Sequence, residues 1–145
     1  MKLSAHFTLE ELTASTKAKA LKIDNTPNVE HKKNLETLAI KCLEPIRELL
    51  GKPMIISSGY RCSALNKAVG GSSTSHHTQG FAVDFVVNGM TNEQIVKKIK
   101  ESNVQFTQLI EETSGKSKWT HISYVPTNLK KEVLIYKNGK YSKHQ

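Results

Sequence analysis

Residues 57–84 read SSGYRCSALNKAVGGSSTSHHTQGFAVD, a polar segment between two apolar ones. The flanking residues 53–58 and 81–87 have the length and composition of β-strands. In the second strand, alternate apolar side chains share one face: Phe81, Val83, Phe85 and Val87. Asp84 lies in this otherwise hydrophobic strand, where an unpaired carboxylate is costly. We therefore expect Asp84 to have a cationic or metallic partner.

Helices are predicted before this region. Residues 8–12 begin with a threonine followed three residues later by a glutamate, a capping box that predicts a short helix. Residues 24–27 (Asp-Asn-Thr-Pro) predict a turn. Residues 29–50 carry apolar side chains at helical spacing and predict the main amphipathic helix. Pro45 is expected to kink or break this helix because proline lacks an amide donor, and Gly51 is expected to end it.

Strands predominate after residue 84. A helix is predicted over residues 91–101 because Thr91 can cap it. The dipeptide Asn138-Gly139 is a strong hairpin signal that folds Tyr141 back onto the last predicted strand. The predicted strands comprise residues 106–112, 119–125 and 132–136. Helices followed by a mostly antiparallel sheet predict an α+β fold in which N-terminal helices pack on the sheet.

The chain has 145 residues, which predicts one domain over residues 1–145. Hydrophobic residues make up 37% and charged residues 23%, a balance that permits a packed core. No apolar run approaches the roughly 18–20 residues that span a bilayer, so we expect no membrane insertion. No signal-peptide pattern begins the chain, so we expect a cytoplasmic protein. Its two cysteines, Cys42 and Cys62, are then expected to be reduced.

The charge balance is basic. Lys and Arg number 21 against 13 Asp and Glu, a formal net charge of +8. Such a surplus favours polyanionic surroundings such as nucleic acid, an anionic membrane or a cell wall, although scattered lysines also serve solubility. The lysines are spread along the chain without an arginine-rich block, so nucleic acid is not the expected partner.

Three residues have the chemistry of metal ligands. His77 and Asp84 stand seven residues apart, and His121 lies in a predicted strand. Three protein ligands of this kind with one open position are the pattern of a catalytic zinc. From the residues alone two alternatives stay open: His121 is an ordinary core or surface histidine, and the glycines at 70, 71 and 80 are simple turn residues.

The composite motif comprises Ser57-Ser58-Gly59-Tyr60-Arg61, Leu65-Asn66, Val69-Gly70-Gly71, Ser75-x-His77-x-x-Gly80-x-Ala82-x-Asp84 and Trp119-x-His121-Ile122-Ser123. It resembles the zinc D-alanyl-D-alanine carboxypeptidase family, which includes bacterial carboxypeptidases and phage endolysins. That family is grouped with lysostaphin-type peptidases and the hedgehog signalling domain. Residues 6–12 and 24–27 look like the short, phage-associated branch. The resemblance implies a hedgehog and D-Ala-D-Ala-peptidase-like fold with one Zn²⁺ per chain.

The resemblance also implies roles for individual residues. His77, Asp84 and His121 match the zinc ligands, and the register selects His77 over His76, which we expect to be an exposed loop residue. Ser75 is expected to shape the ligand loop. Three further residues are expected to contact substrate: Arg61, through a carboxylate or carbonyl oxygen, Tyr60 and Trp119. Trp119 can equally be a core aromatic.

The general base departs from the family pattern. Many relatives carry an acidic residue three positions before the last histidine, and others a histidine two positions before it, where this chain has Lys118 and Trp119. The nearest carboxylates are Glu111 and Glu112 at the end of the preceding strand. A hairpin between these strands would bring one of the two glutamates beside the metal and turn the other to the opposite face. Residues 109–112 (Leu-Ile-Glu-Glu) resemble the Leu-Ile-x-Glu of the phage-associated branch, and this resemblance selects Glu112. Either glutamate can instead be a solvated strand end.

These resemblances predict zinc-dependent hydrolysis of D-Ala-containing bonds in peptidoglycan stem peptides or cross-links. The chain would serve as a phage or prophage endolysin or as a cell-wall peptidase. We expect a monomer that acts on the wall after release from the cytoplasm. The alternative is a non-catalytic, zinc-containing module for cell-wall binding or structure. The choice between carboxypeptidase and endopeptidase stays open.

Overall fold

The strands of the computed structural model, which describes residues 1–144, form one sheet. Its order is β1-β2-β4-β3-β5-β6, for β1 (Ile55–Ser58), β2 (Ala82–Val86), β3 (Gln108–Ser114), β4 (Ser117–Ser123), β5 (Glu132–Lys137) and β6 (Lys140–Lys143). Neighbouring strands are antiparallel except β3 and β5, which are parallel. The predicted α+β class is confirmed, with a mixed sheet. The single-domain prediction includes Gln145, which lies outside the described residues.

The described part of the chain also has six α-helices: α1 (Leu9–Thr13), α2 (Thr16–Leu21), α3 (Val29–Leu38), α4 (Glu44–Leu50), α5 (Ser63–Ala68) and α6 (Asn92–Lys100). The predicted capping box is present, because Thr8 Oγ1 accepts from the Glu11 amide and Glu11 accepts from the Thr8 amide. Helices α2 and α5 were not predicted. Each has six residues, too few for a clear apolar period.

The predicted long helix is divided by a π-helical turn, Ala39–Leu43. Pro45 at the start of α4 has no amide hydrogen, so the normal ladder cannot continue through it. The Glu44 amide instead donates to the Ala39 carbonyl, five residues back. Gly51 ends α4 with a left-handed φ of 67°. Both the expected break and the expected end are confirmed.

The core lies between the helices and one face of the sheet. Apolar residues of α3, α4 and α6 pack there against alternate strand residues, which include Val83, Phe85, Leu109 and Ile122. The intervening residues Asp84, Ile110 and His121 line a cleft on the other face. Because side chains alternate along a strand, the polar cleft residues lie on the face of the sheet opposite the hydrophobic core.

Two further sequence expectations concern redox state and membranes. Cys42 and Cys62 form no disulfide with each other, and burial raises the pKa of the Cys42 thiol. Within residues 1–144, none of the helices has the length and apolar character needed to span a membrane.

Candidate metal centre

Adjacent strands bring two of the predicted metal ligands together. Asp84 of β2 pairs directly with His121 of β4, and Asp84 Oδ1 lies 2.9 Å from His121 Nδ1. His77 comes from a short 3₁₀ turn, His76–Gln79, and its Nε2 lies 3.3 Å from the same Asp84 oxygen. One ligand atom from each residue lies within 4.8 Å of the others. Residues separated by up to 44 positions therefore converge on one point.

The His77 ring is held in one orientation. Its Nδ1–H donates to the Gly59 carbonyl at 2.8 Å, which leaves the Nε2 lone pair facing Asp84. The Ser75 hydroxyl accepts from the His77 amide at 3.2 Å, so Ser75 shapes the turn as expected. The ring is almost fully buried, with 3% exposure.

Gly59 is required by a close backbone approach. A Cβ at this position would lie 2.1 Å from the Leu12 carbonyl oxygen. The next amide, of Tyr60, donates to that same oxygen at 2.7 Å. Helix α1 therefore packs against the segment whose carbonyl orients His77.

The electrostatics suit a cation. Burial opposes ionisation of Asp84, but the charges and hydrogen bonds of His77 and His121 outweigh burial and lower the pKa of Asp84. Asp84 is therefore a carboxylate. Ligands at about 2.1 Å around a tetrahedral zinc lie roughly 3.4 Å apart. The two histidine nitrogens lie 2.9 Å and 3.3 Å from Asp84 Oδ1, and all three donors lie within 4.8 Å of one another. Two imidazole nitrogens and a carboxylate oxygen fit zinc in both geometry and donor chemistry.

These donors open into a cleft of about 620 Å³. This volume is in the range of ligand-binding pockets. Its walls come from the loop of residues 70–77, from strands β3 to β6 and from the segment between β4 and β5. Arg61, Glu112 and Trp119 line the cleft, as predicted.

Glu112 lies on the cleft face because β3 and β4 form the predicted hairpin. Glu112 pairs with Trp119, and Trp119 Nε1–H donates to Glu112 Oε2 at 2.5 Å. Burial, followed by the negative charge of Asp84, raises the pKa of Glu112. Glu111 projects to the opposite face, where it lies 4.0 Å from His144. The predicted orientation of the two glutamates is confirmed.

Asn92 at the start of α6 braces this hairpin. Its side-chain amide donates to the Trp119 carbonyl at 2.7 Å and to the Glu112 carbonyl at 3.3 Å. The Thr120 hydroxyl donates to Asn92 Oδ1 at 3.1 Å. Sequence analysis did not identify Asn92, because a polar residue at a helix start is an ordinary feature.

Arg61 is positioned without being fully paired. Its Nη2 donates to the Ser75 hydroxyl at 3.3 Å, and its buried Nε has no hydrogen-bond partner among the described residues. Burial lowers the pKa of Arg61, although Asp84 and Glu112 oppose this. The Arg61 side chain lines the cleft, and a guanidinium group there is suited to an anionic or carbonyl oxygen of a ligand.

The family model for Peptidase M15 matches residues 5–123. This match covers most of the chain and includes His77, Asp84, His121, Arg61 and Glu112. The chain belongs to the Peptidase M15 family. No curated protein matches the chain. The resemblance to zinc D-Ala-D-Ala carboxypeptidase-like proteins is thereby confirmed at the level of the family.

Two sequence expectations for this Peptidase M15 chain need correction. His76 is not an exposed loop residue: it is half-buried and lines the cleft, and burial followed by the charges of His121 and His77 lowers its pKa. The Tyr60 side chain lies in the hydrophobic core, where its hydroxyl is 3.0 Å from His31 Nδ1. Tyr60 is not among the residues that line the cleft, so we leave it out of the proposed substrate contacts.

Other cleft residues were missed by sequence analysis. Tyr136 and Tyr141 of β5 and β6 line the cleft, as do Gln108 and Lys130. The alternation of β3 through Glu112 would have identified Gln108, four residues away on the same face. The tyrosines could not be placed because nothing in the sequence indicates that β5 pairs with β3.

Proposed function

We propose that this chain is a zinc-dependent peptidase that hydrolyses D-Ala-containing peptide bonds of bacterial peptidoglycan. The observation that carries the proposal is the convergence of His77, Asp84 and His121 at the base of a cleft that also holds Arg61 and Glu112. The membership in Peptidase M15 supports a metallopeptidase. We further propose that the fold is of the hedgehog and D-Ala-D-Ala peptidase type.

The three buried ligands would hold the metal. Bound there, zinc would polarise the scissile carbonyl and make a water molecule more acidic. The Gly59 carbonyl orientates the imidazole of His77, and Asp84 supplies the negative charge. This preorganisation supports one tightly bound zinc per chain.

Glu112 is the proposed general base. A base must come within hydrogen-bond reach of the attacking water, directly or through one further water. Glu112 shares the cleft with the ligands, and Trp119 holds one of its two carboxylate oxygens. The other oxygen is then available to accept the water proton and pass it to the leaving amine. The raised pKa of Glu112 suits both steps, the uptake of the proton from water and its delivery to the leaving amine.

Arg61 is the proposed substrate-binding cation. Its side chain lines the cleft, and its planar donor geometry suits the terminal carboxylate of a peptide or a carbonyl oxygen that gains negative charge. Trp119 forms part of the wall beside it. We propose that the substrate peptide lies between these side chains with its scissile bond above the ligand set.

We propose that the chain works as a phage or prophage endolysin or as a cell-wall peptidase that meets its substrate after release from the cytoplasm. The net charge of +8 supports an anionic wall as its site of action.

Mass spectrometry of purified muropeptides tests this proposal. The zinc-loaded chain is incubated with the muropeptides, with and without a chelator. Loss of one D-alanine would identify a carboxypeptidase, and separation of cross-linked dimers would identify an endopeptidase. Either product should disappear with chelator. Bound zinc with no change in the muropeptides would overturn the peptidase and favour the non-catalytic module.

A further inference from the structure

A row of side chains crosses the cleft face of the sheet. In strand register, Trp119 of β4 is opposite Glu112 of β3. Glu112 is opposite Tyr136 of β5, which in turn is opposite Tyr141 of β6. All four side chains line the cleft. The row leads from the proposed base to the edge of the sheet.

The outer end of this row is an exposed aromatic pair. The rings of Tyr136 and Tyr141 have centroids 4.8 Å apart and are tilted by 57°. Tyr141 is 61% exposed on strand β6. Tyrosine offers a rigid apolar ring and a polar hydroxyl at little entropic cost, which is the chemistry of a contact surface.

Lysines predominate in the chain that forms this end of the cleft, although Glu112 is opposite Tyr136 and Lys130 Nζ lies 3.5 Å from Glu132 Oε1. Residues 113–145 contain seven lysines and one acidic residue, Glu132, and so carry +6 of the chain's net charge of +8. Lys143 lies two residues after Tyr141 and therefore projects from the same face of β6. Lys130 also lines the cleft. Charge complementarity points to a carboxylate on the ligand.

The hairpin formed by β5 and β6 lies beyond residues 5–123, which match the family model. It therefore supplies a cleft wall that the family match does not account for. We propose that this hairpin is a substrate subsite in which Tyr141 and Lys143 bind an acidic residue of the peptide. The inference rests on the proposed peptidase function and specifies its substrate class.

Sheet spacing sets the position of the acidic residue. The scissile bond lies above the ligand set, whose nearest strand is β4 with His121. Strand β6 is three strands away from β4, or about 14 Å at roughly 4.8 Å per strand. An extended peptide covers this distance in about four residues. Arg61 follows β1 at the other edge of the sheet. A peptide whose C-terminal end meets Arg61 therefore directs its amino-terminal side towards Tyr141.

Two synthetic peptides provide the test. Both end in D-alanyl-D-alanine, and they differ only in glutamate or glutamine at the fourth residue on the amino side of the scissile bond. Trp119 is the single tryptophan and lies in the cleft, so its fluorescence reports binding to the zinc-loaded chain without any need for hydrolysis. KM and kcat are measured in parallel.

The matched variants are Lys143→Gln and Lys140→Gln, which change exposed lysines on opposite faces of the same strand. The wild type and Lys140→Gln should bind the glutamate peptide about three- to fivefold more tightly than the glutamine peptide, as one exposed ion pair permits. Lys143→Gln should lose this preference. Tyr141→Ala should raise KM for both peptides by about two- to tenfold, with kcat unchanged.

The subsite is overturned if the two lysine variants retain the same preference, if Tyr141→Ala binds as the wild type does, or if neither peptide changes the fluorescence. A glutamate preference that depends on Lys143, without hydrolysis of either peptide, would support the subsite and contradict the proposed peptidase function.

Discussion

Trp119 Nε1–H donates a 2.5 Å hydrogen bond to Glu112 Oε2, across the antiparallel pairing in which the two residues stand opposite each other. This contact holds the Glu112 carboxylate on the cleft face. Strand β3, which pairs with β4, thereby places the Glu112 carboxylate in the cleft that holds the predicted metal ligands.

Replacement of Glu112 by glutamine is expected to retain fold and zinc but to lower peptide hydrolysis by about 10²–10⁴-fold, the usual worth of acid–base catalysis. Glutamine keeps the shape and can still accept from Trp119, but it cannot take a proton. Hydrolysis of a D-alanyl-D-alanine peptide is measured under saturating substrate. Glu111→Gln is the control, since Glu111 projects to the opposite face of the sheet, and it should be nearly as active as the wild type. Full activity of Glu112→Gln would rule out this base.

The metal centre predicts a difference between two adjacent histidines. His77→Ala should lose bound zinc because it removes the Nε2 donor, whereas His76→Ala should retain about one zinc per chain. Elemental analysis after metal-replete purification measures both. Zinc loss with His76→Ala and retention with His77→Ala would show that the ligand register is wrong.

Gly59 couples packing to the metal centre. In Gly59→Ala the new methyl group would meet the Leu12 carbonyl oxygen, so the backbone must shift and carry the carbonyl away from His77 Nδ1. We expect a loss of about 1–3 kcal/mol in the free energy of unfolding, together with weaker zinc binding. Urea denaturation and competition with a zinc indicator measure the two effects.

Gly115→Ala is the control for this substitution. Its Cβ meets nothing within 4 Å, and it is remote from the ligands, so zinc affinity should not change. Its positive φ of 60° costs about 1 kcal/mol in stability. Equal zinc affinity in both variants would contradict the proposed role of Gly59.

Glu44 predicts a pH-dependent contribution to stability. It accepts hydrogen bonds from Ser4 Oγ at 2.6 Å and from the His6 amide at 2.6 Å, and its other oxygen is 2.7 Å from His6 Nδ1. Burial opposes ionisation, but these bonds outweigh burial and lower the pKa of Glu44 below its ordinary 4.5. The stabilisation is therefore complete above pH 4.5 and is lost as the pH falls through the lower, folded-state pKa.

Glu44→Gln should accordingly reduce the free energy of unfolding by about 1–3 kcal/mol at pH 7, and the difference from wild type should shrink below about pH 4.5. Urea titrations across this range measure it. Glu48→Gln is the matched control on α4, since Glu48 is exposed and makes no side-chain hydrogen bond among residues 1–144. A difference that grows at acid pH would give the opposite sign and exclude the mechanism.

The features that could be predicted from sequence depend on short-range signals. The Thr8 capping box, the break at Pro45 and the Asn138-Gly139 hairpin each follow from a few adjacent residues. The opposite orientation of Glu111 and Glu112 follows from the two-residue period of a strand. The convergence of His77, Asp84 and His121 was predicted from the resemblance of the composite motif to the zinc D-alanyl-D-alanine carboxypeptidase family, since residue spacing alone left His121 open.

The remaining features depend on contacts between distant segments. The parallel pairing of β3 with β5 aligns Glu112 with Tyr136, and no local pattern specifies which strands become neighbours. The Gly59 carbonyl that orients His77 is 18 residues away and held by packing on α1. Tyr60 was predicted to contact substrate, but its side chain is buried in the hydrophobic core. Propensity and periodicity act over a few residues, whereas strand order, burial and ring orientation arise only when the whole chain packs.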